Sequence, residues 1–214
     1  MAARMIITLM LALLTPSSVG AQQPRVSLRP IPDGVWSQMQ GRSWRPDLPC
    51  PKRQELALLS VPYWDFMGDQ QWGALIVASS DARHVARAFQ EIFDSRQFRI
   101  AKMRLVDDYN GSDDASMEDN NTSGFNCRAV FGTHRVSKHA RGLAIDINPV
   151  QNPYRDARET APRAGRLYDE PHERTAGITG LIRKGDVVTK AFAHIGWSWG
   201  GDFRHTKDYQ HFAR

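Results

Sequence analysis

The spacing of the strand-like segments is the sequence feature that most constrains this fold. A strand followed by a parallel strand needs a crossover of a dozen or more residues, usually a helix. Segments rich in apolar, β-branched and aromatic residues lie too close together for repeated crossovers, at 56–66, 73–78, 98–105, 143–147, 197–199 and 208–212. The sequence therefore predicts a single α+β domain with a small, mostly antiparallel sheet and a few helices.

Two segments have the pattern of amphipathic helices. Ser80 can cap the first and Asp186 can cap the second. Each has one apolar face, formed by Val85, Phe89, Ile92 and Phe93 in the first and by Val187, Val188, Ala191, Phe192 and Ile195 in the second. Residues 107–127, rich in Asp, Asn, Gly and Ser, are predicted to be loop. Residues 149–183 have no clear period, and a loop of that length is usually a functional lid or a mobile excursion.

The N-terminus has the layout of a secretory signal peptide over residues 1–21. Arg4 precedes an apolar run from Met5 to Leu14, and small residues end the segment. That run is too short to span a bilayer, which takes about 20 residues, although a retained anchor is the alternative. No later segment is apolar enough to span a membrane, so we expect an exported protein, periplasmic or secreted. Residues 22–54, rich in Pro, Arg and Gln, are expected to form an irregular lead-in to a domain over 55–214.

Charge and cysteine content exclude several classes of protein and site. The net charge is +5, or +4 without the signal peptide, and the basic residues are spread along the chain. A nucleic-acid partner is therefore not predicted, while loose contact with an anionic polymer such as cell wall is compatible. Cys50 and Cys127 lack the CxxC spacing of a thiolate zinc site. They can form one disulfide in an oxidising compartment, but the sequence leaves that pairing open, and it leaves the oligomeric state open too.

The segment from Ser137 to Asp146 contains candidate metal ligands. Read as a strand, 143–147 directs Leu143, Ile145 and Ile147 to the core and Ala144 and Asp146 to the other face. Gly142 permits a tight turn before this strand, which can bring His139 beside Asp146. One imidazole and one carboxylate are ordinary zinc ligands, although a histidine near an aspartate is more often a surface hydrogen-bond pair.

A second segment, Asp208 to Phe212, supplies another imidazole and another carboxylate. Three protein ligands and a water are typical of a catalytic zinc site, whereas structural sites use four. With His211 as a third ligand, Asp208 is the candidate general base for a zinc-activated water. Four other histidines, His134, His172, His194 and His205, are expected to be ordinary surface or core residues.

These segments resemble a known enzyme superfamily. Ser137 to Asp146 matches the SxHxxGxAxD signature of the zinc D-alanyl-D-alanine peptidases, and Asp208 with His211 matches their second signature. That superfamily includes vancomycin-resistance dipeptidases and carboxypeptidases and phage L-alanyl-D-glutamate endolysins, and it shares the Hedgehog fold. The segments 120–128, 146–154 and 196–201 are similar to a bacterial branch, so that the resemblance covers about 55–212.

The resemblance implies a function and a set of site residues. It implies zinc on His139, Asp146 and His211, and it implies Asp208 as general base. It places Arg128 near the scissile carbonyl, where the guanidinium can stabilise the oxyanion or hold a substrate carboxylate. It also suggests a cleft lined by Asp114, Ser116 and Ser137.

The implied substrate is the peptide part of peptidoglycan, and the bond cleaved stays open between D-Ala-D-Ala, L-Ala-D-Glu and a cross-link. Many relatives have Glu where this chain has Asp208, and the endolysin-like branch has Asp, so the specificity of the Glu-bearing carboxypeptidases transfers less well. The alternatives are an inactive zinc-containing binding module and a secreted peptidase that acts on other peptides.

Overall fold

An antiparallel hairpin of two nine-residue strands lies at the centre of the molecule. The computed structural model describes residues 23–129 and 136–214, so the expected signal peptide lies outside the described residues. The fold is α+β, as predicted. In chain order its elements are β1 (Ser27–Pro30), α1 (Asp33–Met39), β2 (Leu56–Trp64), β3 (Gln70–Ala78), α2 (Ala82–Ser95), β4 (Lys102–Met103), α3 (Asp113–Glu118), β5 (Asn121–Thr122), β6 (Ala144–Asp146), β7 (Tyr154–Arg155), β8 (Thr160–Ala161), α4 (Val187–His194), β9 (Ser198–Trp199), β10 (Lys207–Asp208) and β11 (His211–Ala213).

The strands form four small sheets. β1–β2–β3 is antiparallel, and β2 pairs with β3 along its whole length. Two more antiparallel sheets have the orders β6–β11–β9 and β10–β7–β8, while β4 and β5 form a parallel pair. Among the described residues, no helix is both long and apolar enough to cross a membrane.

Apolar residues cover both faces of the β1–β2–β3 sheet. Alternate residues of β2 and β3 pack against α2 and α4, and this main core includes Leu59, Val77, Phe89, Phe192 and Phe212. The intervening residues face a second core around α1, which includes Ile31, Met39, Leu58, Ile76 and Phe125. Because both faces are buried, the two strands read as nearly continuous apolar runs, and the predictions at 56–66 and 73–78 are confirmed to within a few residues.

The irregular lead-in expected at 22–54 contains regular structure instead. β1 pairs with β2, α1 packs in the second core, and Cys50 forms a disulfide with Cys127, with an S–S distance of 1.99 Å. β1 escapes prediction because all four of its residues are exposed at the sheet edge, so it has no apolar alternation.

The strand predicted over 98–105 is reduced to Lys102–Met103. Phe98 and Ile100 are buried as expected, but a side chain replaces the strand ladder. The Asn148 amide accepts from the Ala101 N–H at 2.9 Å and donates to the Arg99 carbonyl at 2.8 Å. Between these two bonds, Ile100 N–H donates to the carbonyl of Trp64, the last residue of β2, at 2.9 Å, so this backbone is bonded without a regular ladder.

The segment 107–127 is not simply loop. It contains the end of a 3₁₀ turn at Val106–Tyr109, then α3 and β5. Ser112 caps α3 by accepting a hydrogen bond from Ala115 N–H at 3.2 Å, a cap that composition alone conceals.

One of the two predicted helix caps is wrong. The residue that precedes α2 is Asp81, not Ser80, and its side chain makes no capping bond because Arg214 and Trp197 occupy its carboxylate. The cap at Asp186 is confirmed, since its carboxylate accepts from Thr189 N–H at 2.8 Å.

The excursion at 149–183 is folded against the end of the chain. It contains β7, β8 and a 3₁₀ turn at Arg163–Leu167, and β7 pairs with β10. This pairing brings the excursion next to Asp208.

Candidate metal centre and active site

Two neighbouring strands bring the first pair of candidate ligands together. In the β6–β11 ladder His211 lies directly opposite Asp146, so their side chains share one face of the sheet. On the other side of β6, Ser123 and Asp146 exchange backbone hydrogen bonds of 2.9 Å. Asp146 is therefore fixed from both sides, although β6 has only three residues.

A tight turn carries His139 to the same place. His139 begins a 3₁₀ turn that ends at Gly142, whose φ is +67°. The Gly142 carbonyl accepts from Ala78 N–H at 2.9 Å, and a Cβ at Gly142 would lie 2.4 Å from that nitrogen. Both the positive φ and this close approach require glycine. The turn expected at Gly142 is thus present, and it packs directly on β3.

The three ligand atoms converge. His139 Nε2 lies 3.1 Å from Asp146 Oδ2, His211 Nδ1 lies 3.0 Å from Asp146 Oδ1, and the two imidazole nitrogens are 3.3 Å apart. Ligands about 2.0–2.1 Å from a tetrahedral zinc ion are about 3.3 Å from one another, so this spacing fits zinc. His139 Nδ1 lies 2.7 Å from the Gly124 carbonyl, which accepts its proton and leaves Nε2 as the ligand atom.

Burial of the three candidate ligands opposes the charged forms of their side chains. His139 and Asp146 are 3% and 5% exposed. Burial would raise the pKa of Asp146, but the two imidazoles hold that pKa well below its usual range. Burial would lower the pKa of His211, yet Asp146 and Asp208 raise it. The donor set of two imidazoles and one ionised carboxylate is the one expected for a divalent cation, and it is the only such cluster among the described residues.

Asp208 lies beside this cluster. Its Oδ2 is 4.0 Å from His211 Nδ1, and its side chain is 20% exposed. Its Oδ1 is buried and has no hydrogen-bond partner among residues 23–129 and 136–214. Burial raises the pKa of Asp208 to about 6; repulsion from Asp146 adds to this, while His211 opposes it. The carboxylate therefore has a free oxygen close to the ligands.

The backbone around Asp208 is closely packed. β10 pairs Asp208 with Tyr154 of β7, and Gly200 lies against it from the other side. A Cβ at Gly200 would lie 2.4 Å from the Asp208 carbonyl oxygen and 2.9 Å from its Cβ. Gly200 thus allows the chain to approach Asp208, a role beyond the strand connection that the sequence suggests.

Arg128 is joined to the segment that carries His139. Its carbonyl accepts from Ser137 N–H at 3.1 Å, and Ala129 forms a bridge with Val136. Its guanidinium Nη2 lies 2.5 Å from Oδ2 of Asp113, which the sequence did not single out.

The other residues predicted to contact the substrate are Asp114, Ser116 and Ser137, and they differ in exposure and in their hydrogen bonds. Asp114 is exposed and makes no side-chain contact with Arg128, which its neighbour Asp113 contacts instead. Ser116 is 1% exposed and accepts from the Asn121 amide at 2.9 Å. Ser137 accepts from His139 N–H at 3.2 Å. The structure therefore shows contacts for these two serines within the fold, and it does not bring Asp114 to the ligands.

Sequence inspection missed two groups in the site, Asp113 and the Gly124 carbonyl. Adjacent aspartates in one helical turn point in different directions, and only the cap at Ser112 could have indicated which of them faces inward. His172, His194 and His205 are exposed and outside the metal-ligand cluster, and His134 lies outside the described residues.

A comparison with protein families agrees with this geometry. The family described as D-alanyl-D-alanine carboxypeptidase matches residues 131–214, a span that contains His139, Asp146, Asp208 and His211. Asp113 and Arg128 precede the matched span. No curated protein and no solved structure gives a match to the chain.

Proposed function

We propose that this chain, whose residues 131–214 match the family described as D-alanyl-D-alanine carboxypeptidase, is a zinc metallopeptidase that hydrolyses an amide bond in peptidoglycan stem peptides. We further propose that the chain is exported through the signal peptide predicted at 1–21 and acts in the periplasm or outside the cell. The bond is of the D,D-carboxypeptidase or L-alanyl-D-glutamate endopeptidase type.

The metal ligands in this proposal are His139, Asp146 and His211. The convergence of their three ligand atoms, all within 4.8 Å of one another, supports this assignment. When bound, zinc supplies a nucleophilic water at neutral pH and polarises the substrate carbonyl. The Gly124 carbonyl fixes the His139 tautomer, and the β6–β11 ladder fixes Asp146 relative to His211.

Asp208 is the proposed general base, and its unpartnered Oδ1 is the observation that carries the proposal. A buried carboxylate oxygen without a hydrogen bond is costly in a folded protein, so it is expected where a ligand or a water will use it. Asp208 accepts the proton of the attacking water and then donates it to the leaving amine. A purely structural zinc site needs no such carboxylate, which favours an enzyme over an inactive binding module.

Arg128 is the proposed electrostatic partner of the reaction. Negative charge grows on the carbonyl oxygen as the water attacks, and a preorganised guanidinium stabilises that charge. The hydrogen bond from Ser137 N–H to the Arg128 carbonyl supports this role. Ser137 precedes the ligand His139 by two residues, so this bond ties the arginine backbone to the segment that carries the ligand.

Mass spectrometry of stem peptides after incubation with the purified protein tests this function. We expect new fragments that disappear with a chelator and whose masses identify the bond. Asp208→Ala is expected to lower the rate by about 10²–10⁴-fold, as for loss of a general base, while zinc content stays unchanged.

Asp202→Ala is the matched control, since Asp202 is an exposed carboxylate on the same C-terminal segment and pairs with Lys184 at the surface. It is expected to retain full activity. Full activity in Asp208→Ala would overturn the catalytic role of that residue. A zinc-loaded protein that cleaves no stem peptide would favour a binding module or a peptidase with another substrate.

A further inference from the structure

The carboxylate of Asp113 is neither a proposed metal ligand nor the proposed general base, yet it makes the closest contact to the Arg128 side chain. Its Oδ2 lies 2.5 Å from Nη2 of Arg128, and the two side chains are only 21% and 25% exposed. Separating them would leave two charged groups with little access to water, so the pair is expected to persist.

The backbone fixes where Arg128 begins but not where its side chain points. Arg128 and Asn126 are each hydrogen-bonded to the segment of the metal ligand, through Ser137 N–H at 3.1 Å and the His139 carbonyl at 3.2 Å. An arginine side chain has several rotatable bonds, and holding it in one geometry needs a partner. Among the described residues, Asp113 is the only acidic residue that forms an ion pair with Arg128.

We propose that Asp113 is a positioning residue that holds the Arg128 guanidinium at the metal centre and directs it to the scissile carbonyl oxygen instead of to a substrate carboxylate. This inference rests on the proposed function. It deepens that function by choosing between the two roles that an arginine can have in such a site.

The charges of Asp113 and Arg128 favour binding of a substrate carbonyl oxygen over binding of a substrate carboxylate. Asp113 already balances the charge of Arg128, so a second carboxylate at the guanidinium would be repelled by the first. Arg128 Nε is buried and has no hydrogen-bond partner in the described part of the chain. A carbonyl oxygen brings no full charge to this donor in the ground state and gains negative charge as the water attacks, so its hydrogen bond to the guanidinium strengthens in the transition state.

Asp113 also lies in the first turn of α3, where any acidic residue stabilises a helix. Asp114 lies in the same turn but is exposed and forms no ion pair with another described residue, so it has the helix effect without the contact. Asp114→Asn is therefore the matched control for Asp113→Asn.

The first experiment measures kcat and KM on a stem pentapeptide supplied as the free acid and as the C-terminal amide. We expect Asp113→Asn to lower kcat by about 10-fold on both peptides, less than the loss of the oxyanion donor itself, with little change in KM. Asp114→Asn is expected to stay within about twofold of wild type because only the exposed helix effect is lost. Asp113→Glu, which restores the charge, is expected to recover part of kcat.

A double-mutant cycle tests whether Asp113 acts through Arg128. Arg128→Ala is expected to lower kcat by about 100-fold on both peptides, and adding Asp113→Asn should cause no further loss. Losses that multiply would show an independent role and overturn the proposal. A loss confined to KM of the free acid would assign Arg128 to a carboxylate and overturn it equally.

A second measurement does not depend on turnover. The NMR signal of the Arg128 Nη2–H group, which contacts Asp113, should exchange slowly in the zinc-loaded wild type and in Asp114→Asn, and it should be lost in Asp113→Asn. An unchanged signal in Asp113→Asn would overturn the proposal even if the kinetics agreed. If the wild type cleaves neither peptide, the proposed function fails, and this signal still decides whether Asp113 positions Arg128.

Discussion

The β1–β2–β3 sheet and the segment that builds the site are held together by different forces. The sheet packs on α2 and α4 through buried apolar side chains, and β2 and β3 pair over nine residues. The site segment, residues 99–183, contains His139 and Asp146 and pairs with the two strands that carry Asp208 and His211. Each strand within it is only two or three residues long. In this segment, hydrogen bonds from side chains to the backbone take the place of the bonds that longer paired strands would form.

Buried amides make most of these replacements. Asn152, which is fully buried, donates to the carbonyls of Ile147, Asn148 and Gly180, and it accepts from Ile182 N–H at 2.7 Å. Asn121 bonds both backbone groups of Arg104 in the same manner.

A half-buried arginine forms similar hydrogen bonds to the backbone. Arg174 donates to the carbonyls of Gln151, Tyr168 and Ile182, and its guanidinium stacks 3.7 Å from the centroid of the Tyr209 ring. Burial lowers the pKa of this arginine to about 10. The comparison teaches that hydrophobic packing supplies a stable base, while directional polar bonds fix the irregular backbone around the ligands.

The largest effect is expected from removal of the disulfide that ties the site segment, at Cys127, to the N-terminal segment, at Cys50. The disulfide joins Cys50, beside the second core, to Cys127, next to Arg128, and closes a separation of 77 residues. A loop of that length stabilises the folded state by about 4 kcal/mol on chain entropy. The Cys50→Ala/Cys127→Ala double variant should lose about this much in chemical denaturation. A reductant should destabilise the wild type alone, and a loss near zero would contradict the prediction.

Two side-chain truncations, one in each region, separate the effect of apolar packing from the effect of polar bonds. Leu59→Ala in the sheet and Asn152→Ala in the site segment should each cost about 3 kcal/mol, from a cavity in the first and from unpaired backbone groups in the second. Only Asn152→Ala should also weaken zinc binding, because Asn152 holds the backbone that follows Asp146. Calorimetric zinc titration at a temperature where both variants are folded distinguishes them. Equal zinc affinities would show that the two regions do not differ in this respect.

The sequence predicts elements whose signal is local and misses those that depend on residues remote in the chain. The long strands and α4 are predicted because apolar periodicity determines them, and the ligand cluster is predicted because the 139–146 and 208–211 signatures are local. β1 is missed because an exposed edge strand has no apolar face. The 98–105 strand is wrong because Asn148, remote in sequence, takes its hydrogen bonds. Asp113 is missed because its partner lies on another element.

The smallest expected effect concerns the ion pair between Asp81, which precedes α2, and Arg214, at the end of β11. Burial opposes ionisation of Asp81, but the hydrogen bonds from Arg214, Ser80 and Trp197 lower its pKa below the ordinary value of 3.8. The ionised carboxylate therefore stabilises the folded state above that value, and this contribution is lost as the pH falls through the lowered pKa.

Asp81→Asn should cost about 1 kcal/mol near neutral pH, since Arg214 is half exposed, and the difference from wild type should shrink below about pH 4. Denaturation at several pH values measures this, with the exposed Asp47→Asn as control. A difference that grows in acid would contradict the assigned direction.

The zinc content of the purified protein is the most direct test of the assignment of His139, Asp146 and His211 as the metal ligands. Elemental analysis after dialysis should give one zinc ion per chain for the wild type and for Asp208→Ala, and almost none for Asp146→Ala, whose carboxylate lies between both imidazoles. Zinc that remains stoichiometric in a folded Asp146→Ala variant, or a wild type that binds none, would contradict the assignment of His139, Asp146 and His211 as the metal centre.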